Sequence, residues 1–224
     1  MLFTSRPIGD AMATTIWGTS SSWTLTALPL FVWMGEILFR TKLSENLFKG
    51  LAPWMQKLPG GLIHVNVVGC ALFAAISGSS AATVATVGKM SIPELRKRNY
   101  PEKILLGSLA GSGTLGLLIP PSIILIIYGV AVQESIAKLF IAGIVPGIMI
   151  ALIFMFYVII WSLINKKSMP RILEEYSFIE KVRRSKQLLP VILLISAVIG
   201  SIYTGIATAT EAASLGVVGA LILS

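Results

Sequence analysis

One cysteine, Cys70, and one histidine, His64, occur in 224 residues, and only 12% of the side chains are charged. A lone cysteine excludes an internal disulfide. The sequence also lacks a spaced metal-ligand cluster, a glycine loop that cradles phosphate and a nucleic-acid module, so those chemistries have no carrier. Acidic residues are few: 10 Asp and Glu stand against 18 Lys and Arg, a formal net charge of +8. Residues 1 to 22 show no basic start followed by an apolar core and a small-residue cleavage site, and so do not read as a signal peptide. What the chain has instead is apolar. Hydrophobic residues make up 55% of it and the mean hydropathy is +0.84, which places it in the membrane class.

The charges leave uncharged runs of 25 residues after Asp10, 31 after Lys57, 30 after Lys103, 27 after Lys138 and 24 after Lys186. A helix needs about 20 residues to cross a bilayer, so each run is long enough. From Ala212 to Ser224 the chain is apolar but stops after 13 residues. That reads as a span cut short, in a fragment or in a gene truncated inside a membrane segment.

Lys and Arg favour the cytoplasmic side, which turns these runs into a topology. The basic residues form three blocks: Arg40 to Lys57, Lys89 to Lys103, and Lys166 to Lys186, together 16 of the 18. A single crossing by residues 58 to 88 would put the first two blocks on opposite faces. A re-entrant hairpin over the same residues keeps them together. Spans then follow at about 23 to 39, 103 to 131, 139 to 164, 187 to 203 and 211 onward, and the fold class is all-α, a polytopic membrane protein.

The hairpin must break at its tip, and the tip falls on Ser77, Gly78, Ser79 and Ser80. Non-helical backbone at membrane depth survives only when buried in protein or facing a watery cavity. Glycine permits the turn, and serine hydroxyls can bond freed backbone groups or coordinate a cation. Small-residue helix packing, with each serine bonded back to the preceding turn, is the plain alternative. A second stretch, "GSLAGSGTLGLLIPPSIILIIYG" at residues 107 to 129, favours the break. Pro120 and Pro121 remove two donors and disfavour helix at Ile119, so two half-helices joined by a link at about 116 to 122 are expected. A kink explains one proline, but not a glycine-rich approach, two prolines and Ser122 together. Two interrupted segments in succession point to a transporter site, where half-helix N-termini face an anion and unwound carbonyls hold Na⁺.

Other residues have plainer readings. Thr208 and Glu211 have capping-box spacing. His64 stands 13 residues before Ser77, roughly 20 Å along a helix, too far for a Ser and His hydrolase pair on one arm. Packing or an interfacial place suits it better. Glu36 and Arg40 form an i, i+4 pair. Between residues 165 and 187, Ile172, Leu173, Tyr176, Ile179 and Val182 recur at near-helical spacing among basic residues. That pattern is an interfacial amphipathic helix on an anionic leaflet, or a plain connector. Trp17, Trp23, Trp33, Trp54 and Trp161 mostly fall near span ends, as an aromatic belt requires.

The stretches "LPGGLIHVNVVGCALFAAISGSSAATVATVG", "IPEL", "LAGSGTLGLLIPPSIILIIYGV", "SIAKLFIAGIVPG" and "GIATATEAASLGVVGAL" resemble the large membrane subunit of tripartite ATP-independent periplasmic transporters. The resemblance runs from about Leu25 to the last residue. It implies an elevator-type transporter of inverted repeats, about one repeat plus scaffold being present here. The parts would be an N-terminal segment and scaffold helix at 1–57, a transport-domain part at 58–131, and scaffold helices at 132–224 with a connector at 165–187. It further implies a multi-pass protein of the bacterial inner membrane that moves small organic anions, C4-dicarboxylate or sialic acid among them, with Na⁺ as coupling ion. A small membrane subunit, which Trp17 and Trp23 would touch, and a periplasmic substrate-binding protein are the implied partners. Carried onto this chain, the Na⁺ residues would be Ser77, Gly78, Ser80, Gly113 and Gly116. The substrate residues would be Ser79, Thr83, Thr114, Pro120, Pro121 and Ser122. Ala209 departs from the family's usual proline in Thr-Pro-Thr-Glu, which weakens that turn but leaves the cap. An ion-coupled carrier without a binding protein, and a non-transporting membrane scaffold, remain the alternatives, and no enzyme activity is expected.

Overall fold

A computed structural model describes residues 8–41, 43–170 and 176–224, and among these every regular element is a helix. Helix α1 (Ile8–Ser20) leads through a 3₁₀ turn at Trp23–Thr26 into α2 (Ala27–Arg40), with a bend of 41°. Ala27, Phe31, Met34 and Leu38 recur every three or four residues and are all buried, which gives α2 one core-facing stripe. Its last turn is closed by the expected Glu36–Arg40 pair at 2.7 Å. Next comes α3 (Leu43–Met55), within the first basic block. Leu47, Phe48 and Leu51 are buried, so this short helix is packed into the core.

Helices α4 (Ile63–Ser77) and α5 (Ser80–Lys97) are the two arms of the hairpin. They run antiparallel: Gly69 lies against Val87, and Ser77 Oγ meets Thr83 Oγ1 at 3.0 Å. The following span is broken as its prolines predict. Helix α6 (Glu102–Gly113) passes into a 3₁₀ turn at Thr114–Leu117, the chain leaves helix at residues 118–122, and α7 (Ile123–Val132) resumes. Helix α8 (Ile136–Ile164) has 29 residues, long enough at 1.5 Å each to cross the hydrocarbon with margin. Val145, Leu152 and Phe156 on it are exposed. Helices α9 (Phe178–Ser185), α10 (Leu189–Tyr203) and α11 (Ala209–Leu223) complete the chain, with α11 packed on α2 where Gly216 meets Met34 Sδ.

The basic blocks gather on one face. Lys89 Nζ stands 4.8 Å from the ring centre of Phe39 at the end of α2, and Leu62 N–H donates to the Tyr100 hydroxyl at 3.0 Å. Gly60 lies against Val158 near the end of α8, and Trp54 Nε1–H donates to Ser185 Oγ at 2.8 Å. The hairpin therefore enters and leaves on the same side, which a single crossing could not do. Trp54 and Trp161 sit near that face. Trp17 and Trp23 are strongly exposed at the opposite end of α2, while Trp33 lies mid-helix rather than in a belt. Of the expected amphipathic stretch, Tyr176, Ile179 and Val182 are seen in or beside α9; Ile172 and Leu173 lie outside the described residues.

Candidate functional site

The two breaks meet. Gly78 ends α4 with φ +59°, and its carbonyl accepts the Ile123 N–H, the first of α7, at 3.2 Å. A Cβ at Gly78 would fall 2.6 Å from Pro121 O, so the left-handed turn and the close approach both require glycine here. Across the joint, a Cβ at Gly116 would fall 2.8 Å from Ser80 N and 2.9 Å from Ser79 C. Those are backbone atoms that no rotamer change can move. Gly113 is packed in the same way against the Val84 side chain.

Four helix ends thus converge: the C-termini of α4 and α6 and the N-termini of α5 and α7. Ser79 is the N-cap of α5, its Oγ accepting Ala82 N–H at 3.4 Å, and Ser122 holds the same position before α7. Ser122 Oγ donates to Leu117 O at 2.7 Å and so braces the link. Ser77 Oγ is occupied by Thr83 and by Ser79 O. Thr114 Oγ1 donates to Gly111 O at 2.7 Å. Ser80 Oγ differs from all of these, being buried with no hydrogen-bond partner. Residues 77–84 and 111–123 contain no charged side chain, so what the joint offers is peptide dipoles and hydroxyl oxygens. The negative ends of α4 and α6 suit a cation, and the positive ends of α5 and α7 suit an anion.

Every sequence-predicted residue lies at or behind this joint. Ser77, Gly78, Gly113 and Gly116 are buried in it; Ser79 and Ser80 are half-buried at its rim, and Thr114 is exposed there. Thr83, Pro120, Pro121 and Ser122 are buried behind the surface. The sequence did not single out Ile123, whose N–H holds the hairpin tip, or Val84, whose side chain fills the space over Gly113. Apolar residues at such points carry no compositional signal. Elsewhere, the capping box at Thr208 and Glu211 forms in full, with Thr208 N–H donating to Glu211 Oε2 at 2.8 Å. His64 is buried at the far end of α4 from Ser77, bonded through Nε2 to Pro59 O at 2.8 Å. A cavity of about 690 Å³ lies away from the breaks, lined by Thr15, Thr19, Gln133, Glu134 and Thr208 among others.

Comparison with known proteins gives a consistent picture. The family model described as "Tripartite ATP-independent periplasmic transporter, DctM component" matches residues 1–224. The C4-dicarboxylate TRAP transporter large permease protein DctM of Pseudomonas aeruginosa is 37% identical over 209 residues, 93% of this chain and 48% of that protein. An ectoine/5-hydroxyectoine TRAP transporter large permease protein of Ruegeria pomeroyi is 36% identical over 200 residues, covering 89% of this chain and 46% of the relative. The sialic acid TRAP transporter permease protein SiaT of Haemophilus influenzae is 34% identical over 203 residues, 90% of this chain and 32% of the relative. The chain spans about half the length, or less, of the relatives it matches.

Proposed function

Because this chain belongs to the DctM component family of tripartite ATP-independent periplasmic transporters, we propose that its paired breaks form part of the ion and substrate site of a Na⁺-coupled importer of small organic anions. The transporter works in the bacterial inner membrane with a small membrane subunit and a periplasmic binding protein. The observation that carries this reading is the convergence of four helix ends on one uncharged joint, fastened by the Gly78 O to Ile123 N–H bond. Sodium is carried as a co-substrate. Ser80 Oγ, buried and without an internal partner, is an oxygen such an ion would use, and the α4 and α6 carbonyl ends supply the negative field. The relatives are named for C4-dicarboxylate, ectoine and sialic acid, compounds that share a carboxylate, and the N-terminal N–H groups of α5 and α7 are donors suited to that group.

The test is uptake by the intact protein in proteoliposomes with its small subunit. Accumulation of a labelled carboxylate driven by an inward Na⁺ gradient, and only when a binding protein is added, is the expected result. Uptake without the binding protein would favour a different ion-coupled carrier. Uptake indifferent to Na⁺ would refute the coupling.

A further inference from the structure

Asn66 is completely buried in α4, about three turns below the hairpin tip. Its Nδ2 donates to Leu105 O at 3.2 Å and to Ser108 Oγ at 3.0 Å, both on α6. Ser108 Oγ donates in turn to Leu105 O, while Ser112 Oγ donates back to Ser108 O at 2.6 Å and lies 3.4 Å from Asn66 O. These bonds tie the first arm of the hairpin to the first half of the broken helix. Since Leu105 O can only accept, the amide nitrogen must face it, and the orientation of the Asn66 side chain is fixed. The other end, Oδ1, is left buried with no partner, and so is Ser91 Oγ on α5. Both residues show 0% exposure. The register set by Gly69 against Val87, followed one turn toward the cytoplasmic face on each arm, brings Asn66 and Ser91 to the same level.

Two unpaired polar atoms at one level of a closed three-helix junction are the usual setting for an ordered water. We propose that Asn66 is a positioning residue for the paired breaks, completed by one buried water that donates to its Oδ1 and accepts from the Ser91 hydroxyl. This joint sets how far α4 reaches along α6, and so whether Gly78 O meets the Ile123 N–H. Only its effect on ion binding rests on the function proposed above.

Asn66→Leu keeps the bulk and removes the amide; Ser91→Ala is the milder change. Each is made in the intact protein, and hydrogen–deuterium exchange is followed at residues 119–127, with α8 as internal reference. Asn66→Leu should speed exchange at Ile123 about tenfold, leave α8 unchanged, and require several-fold more NaCl to restore protection. Ser91→Ala should do the same to a smaller extent. Unchanged exchange at Ile123 in folded Asn66→Leu, or equal acceleration in α8, overturns the proposal. If Asn66→Leu fails to fold, Ser91→Ala decides by the same two signs. Wild-type exchange that ignores NaCl, while either variant still frees Ile123, would keep the positioning role and count against the sodium reading instead.

Discussion

Ser80 and Gly116 face each other across the joint and should respond to substitution in opposite ways. Ser80 Oγ has no internal partner, so Ser80→Ala should change the stability of the intact protein by less than about 0.5 kcal/mol. The Na⁺ concentration for half-maximal uptake should nevertheless rise roughly tenfold. Gly116→Ala places a methyl 2.8 Å from Ser80 N, and overpacking of that kind costs about 1–3 kcal/mol, readable as a lower melting temperature together with lost uptake. Tyr100 tests a different point, the seam between the two ends of the hairpin. Its oxygen accepts the Leu62 N–H, and burial pushes the phenol above its ordinary pKa of 10.0, while that bond and the Arg98 charge pull it down by less. With the folded pKa raised, this contribution to stability is complete below about pH 10 and is lost as pH rises through the folded value. Tyr100→Phe should cost about 1–2 kcal/mol at neutral pH by leaving Leu62 N–H unpaired. It should also flatten the fall in melting temperature between about pH 9 and 11.

At the scale of elements, what the sequence made legible followed from backbone chemistry. Ser-Gly-Ser-Ser and Pro-Pro cannot continue a helix in lipid at low cost, so both breaks could be placed within a few residues. The capping box was equally plain, because it depends on two side chains three positions apart. Helix α3 was not legible: Glu45 and Lys49 interrupt its apolar residues, and Lys42 and Lys57 flank it, so it leaves no long uncharged run. The 41° bend before α2 was hidden in the same way, inside one uninterrupted run after Asp10. Asn66 was passed over as a single polar residue among apolar neighbours, and its meaning comes only from α6 beside it. The α3 and α9 pair makes a prediction of its own. Trp54 is flanked by Phe178 and by Lys181, whose Nζ lies 5.5 Å from its ring, with exposed Ile179 and nearby Arg183 on the same short helix. Each basic residue near an anionic bilayer is worth about 1 kcal/mol. Brominated phosphatidylglycerol should therefore quench Trp54 more than brominated phosphatidylcholine does, and Lys181→Glu with Arg183→Glu should abolish the difference.

The whole molecule can be tested through its sidedness. Single cysteines at Lys57 and Lys89, in a background with buried Cys70 changed to serine, should both react with an impermeant maleimide from the cytoplasmic side alone; reaction from opposite sides would dissolve the hairpin. If both label together, the Gly78 to Ile123 main-chain bond acquires a mechanical meaning. It rivets the tip of one membrane insertion to the start of the next helix through atoms that every amino acid possesses. Side chains around it can vary while the rivet stays intact. In the transporter proposed above, a vertical excursion of the solute would carry α4, α5, α6 and α7 as a single freight, sliding against α2, α8 and α11 rather than opening between the two breaks.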